Sequence, residues 1–252
     1  MIEVENIEVF NFEGAIRGLR NPMNSWARSD SHNCNWEMSE YCDKCGKLDA
    51  DNTGVCESDG QFYCIGKNDL DLMQRLFKAG TEHRKYLRQI FVSMDITAPL
   101  YFLKQAETYK IGTTSNSCST MHRIAAKEFT LDDFSHEHLT QGSKDFLLEI
   151  IDALNEARNI YVNYDEYAKS GAANEAIMSK KDVWWQMIQL LPESYNQRRT
   201  ITMNYENVFS IIKQRSGHKL DEWVKFIEIL KTLPYVKEIG GFDEKEGDNN
   251  EH

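Results

Sequence analysis

The most informative part of the sequence is residues 83–122, HRKYLRQIFVSMDITAPLYFLKQAETYKIGTTSNSCSTMH. Apolar side chains recur at every second position from Ile90 to Ile96, which is the spacing of a strand with one buried face. Pro99 follows at a position that suits the first turn of a helix, and the residues up to Tyr109 continue that helix. The segment therefore predicts a buried strand that leads directly into a helix.

The composition changes after this helix. Residues 110–122, KIGTTSNSCSTMH, are mostly small and hydroxylic, and they have no trustworthy helical or strand periodicity. We interpret them as a loop whose backbone N–H groups and hydroxyl groups are available to an anionic ligand.

Other segments of the chain have clearer periodicity. The patterns predict strands at residues 3–12 and 198–203, and amphipathic helices at residues 13–20, 69–79, 144–169, 182–191, 206–215 and 220–233. There is no internal repeat. These elements predict one α+β domain over residues 1–239, rich in helix and with a small central β-sheet.

Charge and apolar patterning exclude several classes of protein. The 252 residues carry a formal net charge of -11, which opposes binding to nucleic acid or to an anionic membrane surface. No apolar stretch approaches the ~18 residues of a membrane-spanning helix, and the opening MIEVENIEVF is acidic where a secretory signal would be basic. We expect a cytoplasmic protein that binds neither nucleic acid nor membrane. The acidic residues 240–252 are expected to form a disordered tail.

Five of the six cysteines fall in an irregular insertion at about residues 30–66. Cys42 and Cys45 have the CxxC spacing of zinc ligands, and Cys56 and Cys64 would complete a tetrahedral thiolate site. Reduced free thiols are an interpretation that the cysteine pattern favours at least as much. Disulfides are the third, and a reducing cytoplasm disfavours them. The spacing alone leaves structural zinc and free thiols both open.

Two segments resemble the flavin-dependent thymidylate synthases. ITAPLYFLKQ at residues 96–105, followed by SNSCS at residues 115–119, is similar to the family's core, where an apolar-Ala-Pro segment leads into Arg-Gln and then the RHR-x7-S signature. Residues 190–215, LLPESYNQRRTITMNYENVFSIIKQR, resemble the family's Leu-Pro segment, its Thr-x-Asn element and a helix that ends in a nucleotide-binding arginine. The matches keep their order over residues 69–122 and 184–233.

This resemblance implies an FAD-dependent methyltransferase of the thymidylate synthase type. Such an enzyme transfers a one-carbon unit to C5 of a pyrimidine nucleotide such as dUMP, with folate and NADPH as co-substrates. It also implies a homotetramer with sites between subunits. The implied FAD contacts are His83, Lys110, Asn116 and Asn204. The implied nucleotide contacts are Gln105, Ser119 and Arg215, and the signature serine is Ser119, or Cys118 if the seven-residue spacing is strict.

The chain departs from the family at several charged positions. Thr108-Tyr109-Lys110 stands in place of the family's Arg-His-Arg, and two further arginines are replaced by Thr120 or Met121 and by Ile188. An arginine offers phosphate a rigid bidentate fork that a lysine does not reproduce. The alternative prediction is therefore a non-catalytic nucleotide-binding or assembly protein that kept the fold.

Overall fold

The structure is a computed structural model that describes residues 2–33, 63–169 and 178–242. Its strands are β1 (Glu3–Phe10), β2 (His32–Asn33), β3 (Tyr63–Cys64), β4 (Phe91–Pro99), β5 (Thr113–Ser117) and β6 (Asn196–Asn204). Its helices are α1 (Phe12–Arg20), α2 (Lys67–Lys78), α3 (Leu100–Ala106), α4 (Thr120–Arg123), α5 (Gln141–Val162), α6 (Tyr164–Lys169), α7 (Lys180–Leu190), α8 (Tyr205–Arg215), α9 (Asp221–Thr232) and α10 (Val236–Gly240). The predicted α+β class, helix-rich with a small central sheet, is confirmed.

Local signals in the sequence account for the ends of several helices. Thr140 and Ser179 are the N-caps of α5 and α7, and each side chain accepts a hydrogen bond from a backbone N–H of the first turn. Helix α2 ends just before Gly80, whose φ of 106° favours glycine. Helix α7 ends just before Pro192, which cannot continue it.

Strands β1, β4, β6 and β5 form a four-stranded antiparallel sheet in that order. β4 and β6 pair along their whole length, from Phe91 opposite Asn204 to Pro99 opposite Asn196. β5 pairs with β6 at the edge of the sheet, and the prediction of a loop over residues 110–122 is therefore wrong. Its side chains are polar on both faces because an edge strand need not bury either one, so the usual alternation is missing. Backbone amides alternate in direction along an extended strand, so those of β5 do not converge on one anion.

The two faces of the sheet differ in character. One face carries Val92, Met94 and Ile96 of β4 and Ile201 and Met203 of β6, all buried in the main core. The elements α1, α2, α3, α8, α9 and α10 and the 3₁₀ helix Lys85–Gln89 contribute most of the other buried side chains of this core. We call this the helix-covered face.

The opposite face of the sheet, which we call the polar face, carries a hydrogen-bonded network around Asp95. The Asp95 carboxylate accepts hydrogen bonds from Thr200 Oγ1 at 2.5 Å, from Asn6 Nδ2 at 2.9 Å and from Arg198 Nη2 at 2.9 Å. These bonds lower the pKa of Asp95 to about 2. Arg198 also pairs with Glu5 at 3.0 Å, so the network joins the three strands β1, β4 and β6.

A second apolar cluster lies outside the main core. Helices α5 and α7 pack on each other and on the aromatic rings of Phe129 and Phe134. Phe146 on α5 remains 68% exposed and Trp185 on α7 remains 37% exposed. Trp184 is half-buried, and its Nε1 donates to the carbonyl of Met121 at 3.1 Å. The rings of Phe146 and Trp185 therefore leave apolar surface exposed on this cluster.

Asp69 holds the first residues of the insertion, as far as the structure describes them, against the domain. This carboxylate is fully buried, accepts from Arg20 Nε at 2.7 Å, and also accepts from the hydroxyls of Ser29 and Ser31 at 2.7 Å each. Burial raises the pKa of Asp69, but these hydrogen bonds outweigh burial and hold it below its ordinary value. Asp30 accepts from the N–H of Asn68 at 2.9 Å and so caps α2 from a distant segment.

The predicted tail begins too early at residue 240. Gly240 is the last residue of α10, and the Phe242 ring lies 6.1 Å from the ring of Phe209. Residues 243–252, which make up the rest of the predicted tail, lie outside the described residues. Within the described part of the chain, no helix is both long and apolar enough to cross a bilayer.

Candidate functional site

Three of the four residues implied to contact FAD lie around the start of α8. Asn204 is buried and caps α8, because its Oδ1 accepts from the N–H of Asn207 at 3.0 Å. The backbone of Gly112 packs against Asn204 Nδ2. A side chain at position 112 would not fit, because its Cβ would lie 2.2 Å from Nδ2. This contact brings the exposed Lys110 next to Asn204. His83 is exposed in the turn before a 3₁₀ helix.

That turn is tied to α8 by an ion pair. Arg84 Nη2 lies 2.7 Å from Glu206 Oε1, and Glu206 is in the first turn of α8. His83 and Lys110 therefore belong to two segments that both contact the start of α8, which Asn204 caps. Asn116, the fourth implied FAD contact, does not join them. It pairs with Thr200, four residues from Asn204 along β6, or about 14 Å.

Gln105 and Arg215 come together on a residue that the sequence did not indicate, Trp223. This tryptophan is fully buried, and its Nε1 donates to Gln105 Oε1 at 2.9 Å. The Arg215 guanidinium lies 4.6 Å from the centre of the Trp223 ring, and Arg215 Nε donates to the hydroxyl of Tyr109 at 3.0 Å. One buried indole thus holds both predicted nucleotide contacts of the helix-covered face.

Arg215 differs in its partners from two other half-buried arginines of this region. Arg84 and Arg199, which are also half-buried, pair with Glu206 and Glu107 at 2.7 and 2.5 Å. Within residues 2–33, 63–169 and 178–242, Arg215 has no such ion pair. Its neighbours are the rings of Tyr109 and Trp223, together with His218 Nε2 at 3.4 Å from its Nη1. A half-buried guanidinium without a carboxylate partner suits an anionic ligand.

Tyr109 and Trp223 also line a cavity of about 200 Å³ on the helix-covered face. Its inner wall consists of apolar side chains such as Phe102, Ile201 and Phe226. Its rim carries the polar side chains of Glu107, Lys110, Thr113, Ser115 and Arg199. The cavity therefore combines an apolar interior with a polar opening beside Lys110.

Cys118 and Ser119 lie at a different and larger cavity of about 570 Å³. Ser119 is the N-cap of α4, and its Oγ accepts from the N–H of His122 at 3.2 Å. Cys118 is exposed, and its carbonyl accepts from Gln197 Nε2 at 2.8 Å. Thr97 and Arg198, which belong to the polar face of the sheet, line the same cavity.

The sheet therefore separates the predicted nucleotide contacts into two groups. Gln105 and Arg215 lie on the helix-covered face, whereas Ser119 opens to the cavity on the polar side. Cys118 N–H donates to the carbonyl of Arg198, six residues or about 20 Å from Asn204 along β6. Neither Gln105 nor Arg215 lines the cavity of Ser119.

Three of the four proposed zinc ligands, Cys42, Cys45 and Cys56, lie outside the described residues. Cys64 is described, and it is half-buried in β3 opposite His32 of β2. In the described part of the chain, no cluster of three or more His, Cys, Asp or Glu side chains could hold a metal ion.

Sequence reasoning missed Trp223, Tyr109 and Arg123 as site residues. From the sequence, Tyr109 and Trp223 are expected to be core aromatics of amphipathic helices. Their polar partners belong to other elements, so the local sequence does not reveal them. Arg123 also lines the cavity of Cys118 and Ser119. Arg123 has no signal in the sequence, because the sequence predicts a loop over residues 110–122 and not helix α4.

Comparisons with solved structures identify the fold. The chain is similar to the flavin-dependent thymidylate synthase ThyX of Helicobacter pylori complexed with FAD and dUMP, with 15% identity, a TM-score of 0.57, and coverage of 94% of this chain and 96% of that one. A second structure of Helicobacter pylori thymidylate synthase X with FAD and dUMP gives 14% identity, a TM-score of 0.54 and 91% coverage of each chain. No family model matches the sequence, and no curated protein matches it. The chain has the fold of the flavin-dependent thymidylate synthases, as its sequence resemblance predicted.

Proposed function

We propose that this chain is a divergent, cytoplasmic FAD-dependent enzyme of the thymidylate synthase type, which transfers a one-carbon unit to C5 of a pyrimidine nucleotide such as dUMP. The observation that carries the proposal is the fold likeness, which extends over more than nine-tenths of the chain to proteins solved with FAD and dUMP. Folate and NADPH are the proposed co-substrates.

The residues at the start of α8 fit contacts to FAD. Lys110 and His83 are exposed, and neither forms an ion pair within the described residues. Lys110 offers a positive charge for a phosphate group, and His83 offers a ring with one donor and one acceptor nitrogen. Asn204 contributes by fixing the start of α8 and the position of Gly112. Asn116 would then contact FAD from another subunit.

In this proposal, the residues of the protein position the reactants. Bound FAD supplies the hydride chemistry, so the chain itself needs no strong nucleophile. Arg215 holds the nucleotide phosphate, and Trp223 fixes the guanidinium through its ring. Gln105 has its Oε1 occupied by Trp223, which leaves its Nε2 to donate to the base or phosphate. Ser119 offers a hydroxyl from the second cavity.

The separation of these residues by the sheet supports a site shared between subunits. A second copy of the chain would bring the cavity of Ser119 against the helix-covered face of the first, and the exposed rings of Phe146 and Trp185 provide apolar surface for such contacts. We propose a homotetramer on this basis.

The test begins with the visible spectrum of the purified full-length protein. Flavin absorbance, dUMP binding and the formation of dTMP from dUMP with a folate donor and NADPH are expected. Lys110→Gln should weaken FAD binding by roughly ten-fold or more, since a charged contact to phosphate contributes ~1.5–3 kcal/mol. Lys104→Gln, an exposed lysine of the same region that pairs with Glu193, is the matched control. A protein that ignores added FAD would contradict the proposal.

The missing signature arginines favour a second candidate function, a nucleotide-binding or assembly protein without catalysis. Thr108 and Ile188 stand where the family resemblance expects arginines. This candidate predicts that dUMP binds while no dTMP forms under any combination of FAD, folate and NADPH.

A further inference from the structure

Asn207, in the first turn of α8, holds the turn that carries Lys110. Its side-chain Nδ2 donates to the carbonyl of Ile111 at 2.7 Å and to the hydroxyl oxygen of Thr113 at 2.7 Å. The two bonds use both protons of the amide nitrogen. The backbone N–H of Asn207 donates to Asn204 Oδ1 at 3.0 Å, so this residue is fixed to the capped end of the helix. One half-buried side chain thus bridges α8 and the residues between α3 and β5.

Apolar packing does not hold this turn. Lys110 and Gly112 are exposed, and Ile111 is 90% exposed. The turn's own backbone bond, from the N–H of Thr113 to the carbonyl of Lys110, is long at 3.4 Å. Gly112 has a φ of 75°, in the left-handed region that favours glycine. The two bonds from Asn207 therefore do most to keep the turn in one conformation.

The residues on either side of the turn are held separately. The hydroxyl of Tyr109 accepts from Arg215 Nε at 3.0 Å, and Thr113 begins β5, which pairs with β6. Loss of the Asn207 amide should therefore free residues 110–112 and leave both flanks in place. A local effect of this kind can be distinguished from a general loss of stability.

We propose that Asn207 is a positioning residue, which keeps the turn at residues 110–113 in the conformation that presents Lys110 to a phosphate group of FAD. The inference rests on the proposed function, in which Lys110 contacts FAD. Asn207 is not among the contacts that the family resemblance implies, and in this role it does not touch the cofactor. It raises the fraction of the free protein in which Lys110 is already in place, and the apparent affinity for a ligand rises with that fraction.

The first measurement needs no ligand. Trypsin cleaves after lysine, and cleavage of the native full-length protein after Lys110 reports how often the turn opens. Asn207→Ala should raise the rate of this cleavage, followed by mass spectrometry, by roughly ten-fold. Asn155→Ala is the matched control, because the Asn155 side chain also makes two bonds to a loop, with the N–H and the carbonyl of Phe129 at 2.8 Å each. This control should lower the Tm and leave cleavage after Lys110 unchanged.

The second measurement is calorimetric titration of FAD into the flavin-free full-length proteins. Asn207→Ala should weaken FAD binding by roughly three- to ten-fold, whereas Asn155→Ala should bind FAD like wild type. In the Lys110→Gln background, the addition of Asn207→Ala should cause no further loss of FAD affinity, because Asn207 acts through Lys110. A merely structural role would give the same loss in both backgrounds.

The outcomes separate this inference from the proposed function. Cleavage of Asn207→Ala after Lys110 at the wild-type rate shows that Asn207 does not hold the turn, and it overturns the inference. Faster cleavage with unchanged FAD affinity, or an additive loss in the double variant, overturns the positioning role and leaves the function standing. A wild type that binds no FAD overturns the proposed function and, with it, the role of Asn207 toward FAD, while the cleavage rates still decide whether Asn207 holds the turn.

Discussion

The guanidinium of Arg215 lies 4.6 Å from the ring of Trp223, whose indole Nε1 also donates to Gln105 at 2.9 Å. Helices α3, α8 and α9 meet at this one side chain. Because Trp223 is fully buried, it has little freedom to move, and the two polar groups that it contacts are held in a fixed relation. The candidate phosphate contact on this face is therefore positioned before any ligand binds.

Replacement of Arg215 tests its role directly. Arg215→Ala should weaken dUMP binding by roughly ten- to a hundred-fold, because a charged contact to phosphate contributes ~1.5–3 kcal/mol, and the effect on FAD should be smaller. Arg215→Lys should recover only part of the affinity, since an ammonium group cannot make the bidentate contact. Calorimetric titration of dUMP in the presence of FAD measures the dUMP affinity of both variants. Lys213→Ala, an exposed cation of the same helix turn, is the control, and equal losses in both alanine variants would contradict a specific role for Arg215.

Replacement of Trp223 separates positioning from packing. Trp223→Phe keeps an aromatic ring but removes the donor to Gln105 and reduces the contact with Arg215. We expect a loss of stability on the order of 1–3 kcal/mol and a fall in dUMP affinity. Phe226→Leu changes a buried neighbour of Trp223 that touches neither polar group, so it should lose stability and keep its affinity. Equal dUMP affinities of Trp223→Phe and Phe226→Leu would show that Trp223 contributes only packing.

The Asp95 network makes stability depend on pH in a defined direction. The folded pKa of Asp95 is about 2, below the ordinary value of 3.8. A group with a depressed folded pKa stabilises the protein above its ordinary pKa and loses that contribution as the pH falls through the folded value. The difference in Tm between wild type and Asp95→Asn should therefore be largest above pH 5 and shrink from about pH 4 to pH 2.

The measurement is thermal unfolding at a series of pH values, followed by circular dichroism. Asp71→Asn removes an exposed carboxylate that pairs with Arg75 within α2, and it provides the reference for a surface carboxylate outside the sheet. A difference in Tm for Asp95→Asn that stays constant over this range would show that the network does not hold the carboxylate in its ionised form.

Periodicity in the sequence predicted the elements that bury one face. β4 and α5 were found because apolar side chains repeat at two or 3.6 residues wherever one face meets the core. β5 was missed because the edge strand buries too little of Thr113–Ser117 to impose a pattern. Its existence depends on pairing with β6, which lies about 80 residues further along the chain.

The candidate site was predictable only in part. The resemblance placed Gln105 and Arg215 in one site, and both contact Trp223. It could not show that Ser119 lies on the other side of the sheet, since that depends on the strand order. Trp223 has no signal of its own, because a tryptophan on an amphipathic helix is ordinarily a core residue.

Mixing subunits tests the central claim, a nucleotide site built from two faces of different subunits. Ser119→Asp keeps a good N-cap for α4 and puts a negative charge into the larger cavity, and Arg215→Ala removes the cation of the helix-covered face. Each variant alone should bind dUMP weakly. After the two are denatured and refolded together, about a quarter of the sites should carry neither substitution and should bind dUMP with wild-type affinity. If the mixed protein contains no tight sites, the two faces do not form one site between subunits, and the account is contradicted.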